Sequence, residues 1–212
     1  ITKTRLVSKN QQLLRLDDEE KVPERILDCL KNKLKKIIKK YDLIIFSDYD
    51  KGCLGDVADY IQICKSNNLP VIVDPKQTDF KKYYGANLIT PNMKEFEYMV
   101  GDLKNDMELE KKASLLIEKL KLDAILVTKG ARGVSFIDKN LKVIHQKSEA
   151  LDVYDVTGAG DTFIAVFSAC LASSLDYEES LLFANAGAGI VVGKFGTATV
   201  TKAEINKKIN SK

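Results

Sequence analysis

The run Asp155-Val156-Thr157-Gly158-Ala159-Gly160-Asp161-Thr162 leads straight into the apolar stretch Phe163-Ile164-Ala165-Val166-Phe167. Small residues let backbone amides approach an anion closely, and a helix start adds unpaired N–H donors at the positive end of its dipole. Gly158, Ala159 and Gly160 are therefore a candidate anion hole. Asp161 has two readings. It caps the helix, or it is a general base beside a hole that receives a transferring phosphoryl group. Two other glycine motifs fail to fit. A dinucleotide fingerprint follows the first strand of a βαβ unit, whereas this turn comes late and lacks the third glycine. A phosphate loop of the GxxxxGK[ST] type does not occur.

The elements that must position this turn follow a pattern. Arg5 to Val7 and Gln12 to Leu16 read as strands joined at Ser8-Lys9-Asn10, hence a hairpin. A basic helix enters at Val22-Pro23-Glu24, with Ile26, Leu27, Leu30, Leu34, Ile37 and Ile38 at helical spacing. Apolar strands then alternate with helices: Leu43 to Phe46, Pro70 to Asp74, Ala86 to Thr90 and Ala124 to Thr128. Such alternation predicts an α/β fold whose mostly parallel central sheet carries helices on both faces. Val134 to Ile137 and Leu141 to Ile144 flank Asp138-Lys139-Asn140 and predict a hairpin at the sheet's end. No domain boundary is visible. In open α/β sheets ligands sit beyond the carboxyl ends of the strands. Ser47-Asp48, Asp74-Pro75-Lys76, Thr90-Pro91-Asn92 and Thr128-Lys129-Gly130 should therefore line one crevice.

Composition narrows the function classes. With 33 basic and 30 acidic side chains the net charge is only +3, so no global field favours an anionic polymer. The local run from Lys31 to Lys40 is strongly basic, but no aromatics interleave as a stacking platform needs. It reads as the solvated face of the basic helix, and no nucleic-acid partner is expected. Cys29, Cys53, Cys64 and Cys170 lack paired metal-ligand spacing and His145 is the one histidine, which argues against structural zinc and for a reducing cytoplasm. No apolar stretch is long enough to span a bilayer, so no membrane partner is expected. Ile1 in place of Met suggests a cut N-terminus.

The Asp-x-Thr-Gly-Ala-Gly-Asp-Thr signature at 155–162 resembles that of the ribokinase-like (PfkB-type) carbohydrate kinases. Thr90-Pro91-Asn92-Met93-Lys94-Glu95 is similar to the family's Asn-x-x-Glu motif. Thr128-Lys129-Gly130 with Gly133 resembles its nucleotide loop, and Asn185 to Gly189 its late helix. Within the family the likeness runs to kinases of D-glycero-β-D-manno-heptose 7-phosphate, through Asn10 to Asp17, Ser47 to Gly52, Val73 to Lys76 and Val191 to Thr197. Asp50 departs from the small residue expected in that Lys-Gly loop. The resemblance implies a sugar phosphate and ATP as substrates, with phosphorylation at the anomeric O1 on the way to ADP-heptose for lipopolysaccharide core, and a homodimer of the full-length protein. The family's early strands, its Gly-rich sugar-contacting segment and much of its lid have no counterpart before Thr4. Residues 1–212 are accordingly expected to be the ATP-binding and catalytic portion of an N-terminally truncated kinase domain, inactive alone.

The resemblance also implies roles, each beside a plainer alternative. Asp161 takes the proton of the anomeric hydroxyl. Asn92, Met93, Lys94 and Glu95 meet the nucleotide, with Glu95 holding Mg²⁺ through water; Asn92 and Glu95 equally make a capping box. Thr128, Gly130 and Gly133 flank phosphates and ribose, or form a simple strand exit. Asn185 lies near adenine, or is a satisfied helix asparagine. Asp155 and Thr157 match positions that hold a monovalent cation such as K⁺. Asp74 binds Mg²⁺ through water or caps a turn. Lys51 and Lys76 steady phosphate charge or are solvated. Three other readings stay open: a kinase of ribose or fructose phosphate, a nucleotide-binding module without catalysis, and a dinucleotide oxidoreductase, which the late turn discourages.

Overall fold

A computed structural model describes residues 2–8, 11–18, 20, 22–76, 79–149 and 154–211. The chain opens with β1 (Thr2–Ser8) and β2 (Gln11–Asp18), an antiparallel pair forming its own two-stranded sheet. The expected hairpin is present, while Lys9 and Asn10 of its connection lie outside the described residues. Helix α1 (Glu24–Ile37) begins at Pro23, whose missing N–H costs nothing at a helix start. Its apolar stripe reaches the core only at the far end. Leu34 packs against the core and Ile38, just beyond, is buried, whereas Ile26 and Leu30 stay exposed.

The main sheet is built from β3 (Ile44–Ser47), β4 (Val71–Asp74), β5 (Leu88–Ile89), β6 (Ala124–Thr128), β7 (Val134–Asp138) and β8 (Val143–Gln146). Spatial order equals chain order. The first four strands run parallel, and β7 and β8 are antiparallel additions, the hairpin expected at the sheet's end. β8 lies further along the chain than the apolar run Leu141 to Ile144 suggested. Leu141 adopts a left-handed φ of 66° and belongs to the turn, where Asp138 accepts hydrogen bonds from the Asn140 and Lys142 amides.

Side chains alternate between two cores, as the pleat requires. Val71, Val73, Ile89, Ile125, Val127 and Ile137 face α2 (Val57–Lys65), α3 (Met93–Val100) and α4 (Asp106–Leu120). Ile72, Leu88, Leu126, Val134 and Phe136 face α5 (Ala159–Ala172) and α6 (Tyr177–Val191). The last helix, α7 (Lys202–Asn210), packs on α6 through the buried Ile205. The sheet is thus covered on both faces. Among the described residues β3 has no strand on its outer side, and Ile45 on that edge is 39% exposed. Among the described residues no helix is long and apolar enough to cross a membrane.

Candidate active site

The crevice expected at the parallel strand ends is present. A cleft of about 210 Å³ is lined by Asp48 after β3, Asp74 ending β4 with Lys76 beyond it, Asn92 and Glu95 after β5, and Thr128 ending β6. Thr128 also bridges to Asn92, which brings the two loops side by side. Gly160, Asp161 and Ile164 close the cleft from α5. A more voluminous groove, about 670 Å³, lies between α4 and the β7–β8 turn. It holds none of these groups, so chemistry and not size picks out the smaller cleft.

Local structure explains how each side chain arrives. Gly158 takes φ 78° as the N-cap of α5, a conformation glycine adopts without a Cβ clash, and it makes no side-chain cap. Asp161 therefore stands in the first helical turn. Among the described residues its carboxylate accepts no hydrogen bond, so it is not spent on capping. Gly160 lines the cleft, whereas the Ala159 amide donates to Val156 O at 3.3 Å and is turned inward. Asn92 and Glu95 do form the capping box: Asn92 Oδ1 accepts from Glu95 N at 3.0 Å, and Glu95 Oε2 accepts from Asn92 N at 2.9 Å. The box leaves Glu95 Oε1 facing Lys76 Nζ at 3.8 Å. The capping reading of this pair holds, and capping uses one carboxylate oxygen while the other faces the cleft.

Electrostatics single out Asp74. Burial pushes its carboxyl up to about 7, and the neighbouring Glu95 and Asp161 charges add to the shift against Lys76 and Thr90. Like charges near one another in a low-dielectric cleft are costly. Asp48 behaves differently. Burial raises it too, but the Lys82 ammonium, the Tyr83 hydroxyl and the Asp50 amide outweigh burial and hold it below the usual carboxylate range. Asp155 is also held low, first by the Thr157 hydroxyl and then by the Thr157 amide at 2.9 Å.

Other expected residues stand outside the cleft. Lys51 lines an adjoining cavity of about 430 Å³ with Lys3, Ser47, Asp48 and Tyr49. Gly130 and Gly133 frame a tight turn in which Lys129 N donates to Gly133 O at 2.7 Å. A Cβ on Gly133 would lie 1.9 Å from Gln146 O, so its glycine is required by packing against β8. Asn185 is buried and donates to Lys147 O at 2.7 Å, which satisfies it in the plainer sense. Met93 and Lys94 begin α3 without lining the cleft. Among the described residues no three His, Cys, Asp or Glu side chains are grouped to hold a metal directly.

A family model of the pfkB family carbohydrate kinases matches residues 3–204. The chain belongs to this family. It is 45% identical over 212 residues to the bifunctional protein HldE of Pasteurella multocida, and 47% over 214 residues to that of Haemophilus influenzae strain PittEE. Each match takes in all of this chain but 44% of the relative, so the chain spans less than half the length of these curated relatives. The fold agrees. A ribokinase of Arabidopsis thaliana complexed with ribose and ATP superposes with a TM-score of 0.77 at 22% identity, over 84% of this chain and 59% of its own. Phosphofructokinase-2 of Escherichia coli in complex with potassium gives 0.77 at 18%, over 95% and 67%. For this pfkB-family chain, one cleft residue not read from the sequence is Ile164, findable one helical turn after Asp161. Lys82 and Tyr83, behind the cleft, carry no local signal.

Proposed function

We propose that this chain is the ATP-binding and catalytic part of a kinase that phosphorylates D-glycero-β-D-manno-heptose 7-phosphate on its anomeric O1, giving the 1,7-bisphosphate. The observation that carries the reading is the Asp161 carboxylate, uncapped at the start of α5, opening on one cleft with Asn92, Glu95, Lys76 and Thr128. Family membership and the HldE likeness support the substrate class.

Asp161 accepts the proton of the attacking hydroxyl, which is the one proton transfer the reaction needs. The Gly160 and Asp161 amides, in the unbonded first turn of α5, offer donors for the phosphoryl oxygens. Asn92 and Thr128 orient the nucleotide, and Lys76 offers a positive charge at the same mouth. Mg²⁺ suits the donor set, because it favours one or two carboxylates with water and phosphate oxygens over an all-protein cage. Glu95 Oε1 and Asp74 would hold it through water. When bound, Mg-ATP supplies the phosphoryl group and neutralises its charge. Asp155, kept ionised by Thr157, suits a K⁺ ion beside the turn. Lys51 lies on the side where the sugar's own phosphate enters.

The exposed edge of β3 and the bare apolar faces of α1 and the hairpin support a kinase domain that extends beyond these elements and a homodimer of the parent protein. By this reading the 212 residues alone turn over heptose 7-phosphate far more slowly than the parent; equal rates would overturn that part. The central test is Asp161→Asn in the full-length parent. ATP binding by calorimetry should persist while turnover falls by about 10²–10⁴-fold. Retained turnover would remove Asp161 as the base.

A further inference from the structure

Behind the cleft lies a charged cluster that the reaction above does not use. The short 3-10 turn Phe80–Tyr83 places Lys82 Nζ 2.7 Å from Asp48 Oδ2 and 3.7 Å from Asp50 Oδ1. The same ammonium sits 5.2 Å from the Tyr83 ring centroid. Tyr83 is fully buried; its hydroxyl donates to Asp48 Oδ2 at 2.7 Å and accepts from the Lys76 amide at 3.2 Å. Asp48 Oδ1 in turn accepts the Asp50 amide at 2.8 Å, and the Asp48 amide donates to Asp74 O at 2.9 Å.

These contacts, together with the main-chain bond from the Asp48 amide to Asp74 O, join two loops. One loop, after β3, carries Asp48, Tyr49 and Lys51. The other leaves β4 at Asp74, its last residue, and carries Lys76. Asp48 and Tyr49 line both the 210 Å³ cleft and the adjoining 430 Å³ cavity, so they form the wall between them. Lys82 and Tyr83 line neither cavity.

We infer that Lys82, with Tyr83, is a positioning residue for the acceptor sugar phosphate: it pins the buried Asp48 carboxylate and thereby fixes the wall that the acceptor lies against. The inference rests on the kinase reading of the cleft. Its physical basis is the cost of a buried carboxylate whose cation is removed. The Asp48 side chain is 3% exposed, and an uncompensated buried charge either takes up a proton or leaves its site. Either outcome weakens or removes the hold on the Asp50 amide and with it on the turn before Lys51. Among the described residues Asn92 and Thr128, on the nucleotide side, make no hydrogen bond or ion pair with Asp48 or Lys82, so nucleotide affinity should be spared. Asp50, the unusual residue of the loop, fits the same account, because its added carboxylate is answered by Lys82.

The test uses the full-length parent with Lys82→Met, Lys82→Arg and Tyr83→Phe, measuring KM for heptose 7-phosphate and for ATP separately. Lys82→Met should raise the sugar-phosphate KM by at least about tenfold, with the ATP KM within about twofold. Lys82→Arg should restore most of the affinity, because a guanidinium also makes charge-assisted hydrogen bonds. Tyr83→Phe keeps the charge pair and removes the hydroxyl's hydrogen bonds with Asp48 and the Lys76 amide, so a smaller rise of about threefold is expected. Parallel rises in both KM values, an unchanged sugar KM in Lys82→Met, or an arginine variant as impaired as methionine would overturn the inference. Should Lys82→Met fail to fold, Tyr83→Phe decides: a selective rise supports it and no rise overturns it. The parent itself separates the two readings. A parent that transfers no phosphate to heptose 7-phosphate defeats the kinase assignment, whereas a parent that does so, with an unchanged sugar KM in Lys82→Met, defeats this inference alone.

Discussion

Leu6 and Leu14 face each other across β1 and β2, and Leu126 and Phe136 face each other across β6 and β7. Both are cross-strand apolar pairs in antiparallel ladders. Leu6 and Leu14 are 59% and 49% exposed, whereas Leu126 and Phe136 are fully buried. The difference is the second layer. Phe163 and Phe167 of α5 belong to the cluster around Phe136, and the Tyr177 ring of α6 lies 4.5 Å from the Phe136 ring. No helix covers the hairpin in the same way among the described residues. Strand pairing alone does not remove apolar surface from water, and a two-stranded ribbon is marginal without a covered face.

That contrast can be broken by mutation. Phe136→Ala should cost about 3–5 kcal/mol of unfolding free energy, because it leaves a cavity under α5 and α6 that the sheet cannot close. The urea midpoint would report it. A smaller, pH-dependent effect lies between the two regions, at Asp74. The folded protein keeps that proton up to about pH 7, whereas the unfolded chain loses it near 3.8. Between those values the native state binds more protons, so stability falls as pH rises, by at most about 1.4 kcal/mol per pH unit. Asp74→Asn should flatten this decline in denaturation series between pH 4.5 and 6.5; an unchanged slope would show that another group sets it. The smallest effect is expected in the hairpin. Leu14→Ser should alter the stability of this chain by no more than about 0.5 kcal/mol, and a core-sized loss would show the hairpin to be covered.

The same contrast explains how much was legible in the sequence. Strands such as Ala124 to Thr128 are continuous apolar runs because both faces are covered, and that pattern is readable locally. So are the glycine turn before Asp161 and the Asn92–Glu95 spacing, since each is written within a few adjacent residues. Coverage is not local. The stripe on α1 has the right helical spacing, yet Ile26 and Leu30 stay exposed among the described residues, and nothing near them in the sequence says so. Gly133 was legible as a loop glycine, but its reason, a carbonyl of Gln146 from the next strand, was not. Lys82 sits in a pair with Lys81 that reads as solvated surface. Its partner Asp48 is 34 positions earlier, and only the parallel pairing of β3 with β4 brings the two together.

The agreement between chain order and spatial order in the main sheet has a consequence for how the protein is made. Each strand from β4 onward adds to an edge that its predecessor has already presented, so the sheet can extend in step with synthesis and with short contact separations. Asp161, the carboxylate proposed as the base, arrives after all of them. A nascent chain therefore completes the strand-end loops of the cleft before it holds Asp161, and the docking of one late helix closes a cleft that was until then an open shelf.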